Sequence, residues 1–184
     1  VVYSLAQKLG EFGNDVHVVT CREGNQVEEE IDKYVHVHRV NICEIDSSTF
    51  ISWVHQMNFS FLEKSVKLIN EKDGFDIVHA HDWLTAFAAR SLKNIYMIPL
   101  ISTIHATEAG RNHGIRNDIQ RYINSVERWL TYESWRVIVN SRFMKEEVKN
   151  NFQLPEDKIK VIPNGINSDK FKNYQRDILF RRNY

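Results

Sequence analysis

Residues 75–110 read FDIVHAHDWLTAFAARSLKNIYMIPLISTIHATEAG, in which an apolar run, a helical run and a second apolar run follow one another. FDIVHAH has the length and β-branched content of a buried strand, LTAFAARSLKN carries an amphipathic helical spacing, and PLISTIH reads as a second strand. Two strands joined by a helix run parallel, because a hairpin turn cannot contain the crossover. Towards the C-terminus the rhythm continues. A polar loop runs to Gly114, a helix covers 118–134, RVIVN is a strand, 142–152 is a helix, and IKVIPNG closes with another strand. The pattern predicts an α/β fold, a Rossmann-like, open, mainly parallel sheet with helices on both faces.

Towards the N-terminus the pattern is less regular. Residues 47–70 hold Phe50, Val54, Met57, Phe61, Leu62, Val66 and Ile69 at spacings of one or two amphipathic helices, after which Gly74 resets the chain. Residues 34–40 alternate Val35 and Val37 with His36 and His38, which predicts a half-exposed strand near a sheet edge, following a polar, acidic stretch over 23–32. Residues 16–20 form a strand. Before it, Val1, Val2, Leu5, Ala6, Leu9 and Phe12 fall on one helical stripe that stops at Gly13 and Asn14. That helix starts without an initiator Met, a capping residue or a strand to feed it, so the natural beginning is expected to be missing.

The 184 residues are 42% hydrophobic, enough for one domain with a full core. Acidic and basic residues balance at 24 each, so charge points to no nucleic acid and no anionic membrane surface. Cys21 and Cys43 lack zinc-site spacing and are too few for a disulfide framework; both are expected to pack, and the cytoplasm is the expected compartment. No membrane span and no signal leader are expected.

Ligands of open parallel sheets bind beyond the carboxyl ends of the strands, which directs attention to the polar residues there. His79, His81 and Asp82 end one strand. Alternation sends both histidines to one side, and Asp82 is placed to cap a helix starting at Trp83. A plain reading makes this a helix cap with backbone-bonded histidines. A rival reading takes His79 and His81, with His105 and His113, as ligands of a metal-dependent hydrolase, but the later strand ends, Asn140–Ser141 and Asn164–Gly165, offer no ionisable ligand. His105 ends the next strand. Its loop, ATEAGRNHG, holds Glu108, suited to accept sugar hydroxyl protons, and Arg111, suited to fork onto a phosphate or carboxylate. VIPNGIN is either a simple turn or a hinge into another domain.

HAHDW, STIH about twenty residues on, VNS before a helix and VIPNGIN before a linker, in that order, resemble the retaining glycosyltransferases of the glycogen-synthase-like superfamily, glycosyltransferase group 1. The resemblance implies the N-terminal half of a GT-B fold: an acceptor-side domain over 1–168, truncated at its start, and a linker over 169–184 carrying Phe180, Arg181, Arg182 and Tyr184 towards a missing nucleotide-sugar-binding domain. It implies transfer of a hexose from a UDP-, ADP- or GDP-sugar to a sugar or glycan hydroxyl with retention, with no metal or other cofactor, and an inactive isolated fragment. It places Asp82 and His105 in the catalytic cleft and Trp83, Thr107, Glu108, Gly110, Arg111, Asn140 and Ser141 against substrate. Leu84 stands where glycogen and starch synthases commonly have histidine, which favours the broader transferase group. A nucleotide-sugar epimerase on the same scaffold and a non-catalytic sugar-binding module remain alternatives.

Overall fold

The structure, a computed structural model, describes residues 1–43, 45 and 48–166. The expected linker over 169–184 lies outside the described residues. Four parallel strands, β4 (Val78–His81), β5 (Leu100–Ile104), β6 (Arg136–Val139) and β7 (Ile159–Val161), form one sheet in sequence order. Each crossover carries a helix: α3 (Ala86–Tyr96) between β4 and β5, the short α4 (Glu108–Arg111) and α5 (Asp118–Glu133) before β6, and α6 (Arg142–Phe152) before β7. This is the α/β architecture expected from the alternation of strand and helix patterns.

A second, three-stranded sheet has the order β1 (Val16–Cys21), β3 (Val35–Val40), β2 (Glu29–Asp32). β1 and β3 run parallel, and β2 returns antiparallel onto β3. Residues 34–40 are therefore central in this sheet, not an edge. β1 and β2 flank β3; the sequence of β2, Glu-Glu-Ile-Asp, has low strand propensity, and its exposed position and its hairpin pairing to β3 override that preference. α1 (Val2–Glu11) packs its Ala6, Gln7 and Gly10 side inwards, leaving Val1, Val2, Leu9 and Phe12 of the expected stripe exposed. Close approach selects this face, since a Cβ on Gly10 would lie 2.5 Å from the Cβ of Tyr34. Cys21 packs in the core as expected, but Cys43 is exposed in the loop after β3.

Residues 50–72 form a single helix, α2 (Phe50–Lys72). The Thr49 hydroxyl accepts the Ser52 N–H at its start, and Asp73 in left-handed conformation (φ 60°) followed by Gly74 (φ 113°) ends it. α2 presents Val54, Met57, Phe61, Leu68 and Ile69 to the interior. Asn58 lies buried among them: its Nδ2 donates to Leu84 O (2.6 Å) and Val54 O (2.8 Å), and its Oδ1 accepts from Ala88 N (3.0 Å). One amide thus ties α2 to the turn at Trp83–Thr85 and to the first turn of α3. The main core gathers Val54, Ala86, Leu100, Ile104, Leu130, Val137, Val139 and Val148, none with measurable exposure. Burying each of the larger of these side chains stabilises the fold by about 2 kcal/mol.

Candidate active site at the carboxyl ends of β4, β5 and β6

Strand register brings three sequence-distant polar residues together. His81 pairs with Thr103 across β4 and β5, and Ile104 pairs with Val139 across β5 and β6, so the residues ending these strands stand side by side. His105 occupies the middle. Asn140 Nδ2 lies 3.2 Å from its Nδ1, and His81 Nδ1 lies 3.1 Å from its Nε2. One proton arrangement satisfies the row: the Asn140 amide donates to Nδ1 of His105, whose Nε2–H donates to Nδ1 of His81. All three are then uncharged.

His79 and His81 share one face, as alternation requires, with ring centroids 4.4 Å apart, and His79 Nε2 bonds Thr103 Oγ1 at 2.8 Å. Burial, reinforced by the charge His105 would carry, pushes the pKa of His79 down to about 4. Burial and the neighbouring histidines push His81 down to about 3. Both imidazoles are neutral at physiological pH. The two rings bond to Thr103 and to His105, and among the described residues no carboxylate joins them, so the metal-hydrolase reading of this pair is not favoured.

Asp82 does not cap the helical turn that follows it. Its carboxylate accepts the backbone N–H of His105 (2.8 Å), and its own N–H donates to Thr103 O (2.9 Å). The turn at Trp83–Thr85 has no side-chain cap because the carboxylate is aimed at the neighbouring strand. The backbone of Asp82 stands at φ 57°, ψ 178°, a region almost reserved for glycine, at a cost of about 1–3 kcal/mol. Trp83, expected to touch substrate, is 3% exposed and packs in the main core, meeting Phe50 edge-on at 6.0 Å. Leu84 packs against the same core.

The loop after β5 folds into α4. Thr107, fully buried, caps it by accepting the Gly110 N–H (2.9 Å) and donates its hydroxyl proton to Glu147 of α6. A side chain at Gly110 would crowd that carboxylate, a Cβ there lying 2.6 Å from Glu147 Oε1. Glu108 is buried, its N–H shared between both carboxylate oxygens of Glu127 (2.9 and 3.0 Å) and its Oε1 accepting from Asn112 Nδ2 (2.9 Å). Burial raises the Glu127 pKa to about 7, against the lowering effect of that N–H. Gly110, Arg111 and His113 are the exposed members of the loop, and Arg111 makes no ion pair among the described residues. Asn140 faces His105, whereas Ser141 accepts the Met144 N–H and caps α6.

Sequence reasoning missed Asn58, Glu127 and Glu147. Glu127 had a legible signal, because Ile123, Val126 and Leu130 mark the buried stripe of α5 and an acidic residue stands within it. Glu147 had none, since only the tertiary fold brings α6 beside Thr107.

Residues 1–170 match the family described as Glycosyltransferase Family 4. The chain is 36% identical over 184 residues to an uncharacterized glycosyltransferase of Methanocaldococcus jannaschii, an overlap of 97% of this chain and 45% of that protein. It is 33% identical over 186 residues to a glycogen synthase of Mycobacterium tuberculosis, covering 92% of this chain and 44% of that protein. Among solved structures it is similar to sucrose-phosphate synthase from Thermosynechococcus elongatus, with a TM-score of 0.73 at 19% identity over 91% of this chain and 42% of that one, a likeness of fold. The chain spans less than half the length of these relatives.

Proposed function

The chain belongs to glycosyltransferase family 4, and from that premise we propose that it is the acceptor-side half of a two-domain GT-B enzyme that transfers a hexose from a nucleotide-diphosphate sugar to an acceptor hydroxyl with retention. The observation that carries this reading is the convergence of three strand ends on one imidazole: His105 is clasped by Asn140 and His81 while Asp82 pins its backbone N–H.

Glycosyl transfer develops positive charge on the sugar ring and negative charge on the departing diphosphate. Such a reaction gains most from fixed dipoles and exact positioning, and little from a strong base. A neutral imidazole held from both sides suits that demand. Both ring nitrogens of His105 are engaged within the protein, so a sugar hydroxyl reaches the ring by replacing one partner. The Asn140 amide at 3.2 Å and the His81 ring at 3.1 Å are the two partners open to replacement.

The remaining roles divide by exposure. Exposed Arg111 and the bare backbone of Gly110 would meet the sugar or the diphosphate, with the guanidinium offering a forked donor. Buried Thr107, Glu108 and Glu127, with the half-buried Glu147, would set the loop in place without touching substrate. Asp82 is a positioning residue, acting through the His105 backbone.

The test is transfer from UDP-, ADP- and GDP-sugars by the complete polypeptide that carries this domain, compared with its His105→Ala variant. The expected loss in kcat/KM is on the order of 10²-fold with an unchanged circular dichroism spectrum. Full activity in the variant would overturn the role given to His105, and release of free or epimerised sugar without transfer would overturn the reaction class.

A further inference from the structure

A second histidine cluster lies away from the strand ends that form the candidate active site, on the three-stranded sheet. His17 and His36 are register partners across β1 and β3, His38 follows on the same face, and Glu29 of β2 stands opposite His38. A line of contacts runs through them: Glu29 bonds Nδ1 of His38, Nε2 of His38 lies 2.9 Å from Nδ1 of His17, and Nε2 of His17 lies 3.2 Å from Asp15 Oδ1. The line contains three links, but two neutral imidazoles bring only two protons. When Glu29 accepts the Nδ1–H of His38 and His38 Nε2 accepts the Nδ1–H of His17, the Nε2 lone pair of His17 faces the Asp15 carboxylate with nothing between them.

A single cation closes that gap. His36 decides which kind, because its Nε2 converges on the same Asp15 oxygen at 3.5 Å. A proton serves one bond; an ion serves three ligands. From this geometry we infer that Asp15 Oδ1, His17 Nε2 and His36 Nε2 form a binding site for a divalent transition cation of the zinc class, with water completing the coordination.

The three ligand atoms all lie within 4.8 Å of one another. The 3.2 and 3.5 Å separations are close to the edge of about 3.4 Å of a tetrahedron whose ligands stand about 2.1 Å from the ion. His17 and His36 are stacked with centroids 4.5 Å apart at 10°, so ligation requires one ring to turn about χ2. His36, one-third exposed, is free to do so, while His17 is held by His38 and by the edge of Phe75. His38 and Glu29 supply the outer hydrogen bonds that fix the His17 tautomer, as carboxylates commonly do behind a ligating imidazole. Two nitrogens favour zinc, nickel, cobalt or copper over the oxygen-seeking magnesium and calcium. Bound there, the ion would clip the start of β1 to the start of β3.

Isothermal titration of the metal-stripped chain with zinc chloride, paired with thermal unfolding, tests the site. One ion per chain and a raised Tm are expected, with no response to magnesium. Asp15→Asn and His36→Gln, both at accessible side chains, should each weaken binding tenfold or more, and Glu29→Gln should weaken it about tenfold through the outer bonds. Absence of binding below millimolar zinc, or unchanged affinity in both Asp15→Asn and His36→Gln, would overturn the proposal.

Discussion

At Asp82 the chain accepts a backbone conformation unfavourable to any side chain, φ 57°, in order to place a carboxylate on the His105 N–H. Aspartate is among the few residues that tolerate positive φ, yet the ψ of 178° removes even that allowance. The strain persists because the Asp82 N–H is itself held by Thr103 O, so the corner is fixed from both sides. Asp82→Ala removes the acceptor, leaves the His105 N–H without its partner and retains the strained backbone. Chemical denaturation should show a loss of about 2 kcal/mol. Asp82→Gly also loses the acceptor but relieves the backbone, and should lose less. Similar stabilities for the alanine and glycine variants would show that the strain is absent. The strand-ending polar residues were legible as a group; the conformation of Asp82 and its true partner were not, because both depend on where the neighbouring strand lies.

Among the elements, α6 connects stability to the candidate site. Ser141 caps it by accepting the Met144 N–H (3.1 Å), one residue after Asn140 contacts His105, and Glu147 on the same helix receives the Thr107 hydroxyl. Ser141→Ala should cost about 1 kcal/mol in global stability. Because the cap anchors the turn that carries Asn140, the same variant should also broaden the His105 ring resonances in NMR spectra; unchanged resonances would separate the cap from the site. The helix over 142–152 was legible in the sequence, but Ser141 was expected to meet substrate, and its role as the cap shows only in the structure. The opposite case is β2, hidden in an acidic stretch whose only reason to be a strand is the hairpin it makes with β3. The expected stripe of α1 likewise named apolar residues correctly but not the face that packs, which Gly10 selects by close approach to Tyr34.

For the whole molecule, the partly buried histidines of β4 predict an acid-sensitive fold. Unfolded histidines gain protons below their usual value of 6.5, whereas folded His79 and His81 stay neutral down to about 4 and 3. The unfolded state therefore binds more protons between pH 6.5 and about 3, and stability must fall as pH falls through that window. Glu127 works in the opposite sense, since its folded value of about 7 lies above the ordinary 4.5; its contribution is complete below 4.5 and is lost as pH rises through about 7. Urea unfolding from pH 4 to 8 should show His81→Gln flattening the acid limb and Glu127→Gln flattening the neutral limb. Wild-type profiles in both variants would mean that neither group titrates as its burial demands. Among the described residues no helix is long and apolar enough to cross a membrane. The alternation of apolar runs was enough to specify the parallel sheet, because strand and helix periods are local properties of consecutive residues. The ordered motifs HAHDW, STIH, VNS and VIPNGIN were enough to identify the family. Only the tertiary structure decided that Trp83 belongs to the core, that Asn140 and His81 share His105, and that Asp15, His17 and His36 converge. Those relations depend on strand register and helix packing across tens of residues, and no local pattern encodes them.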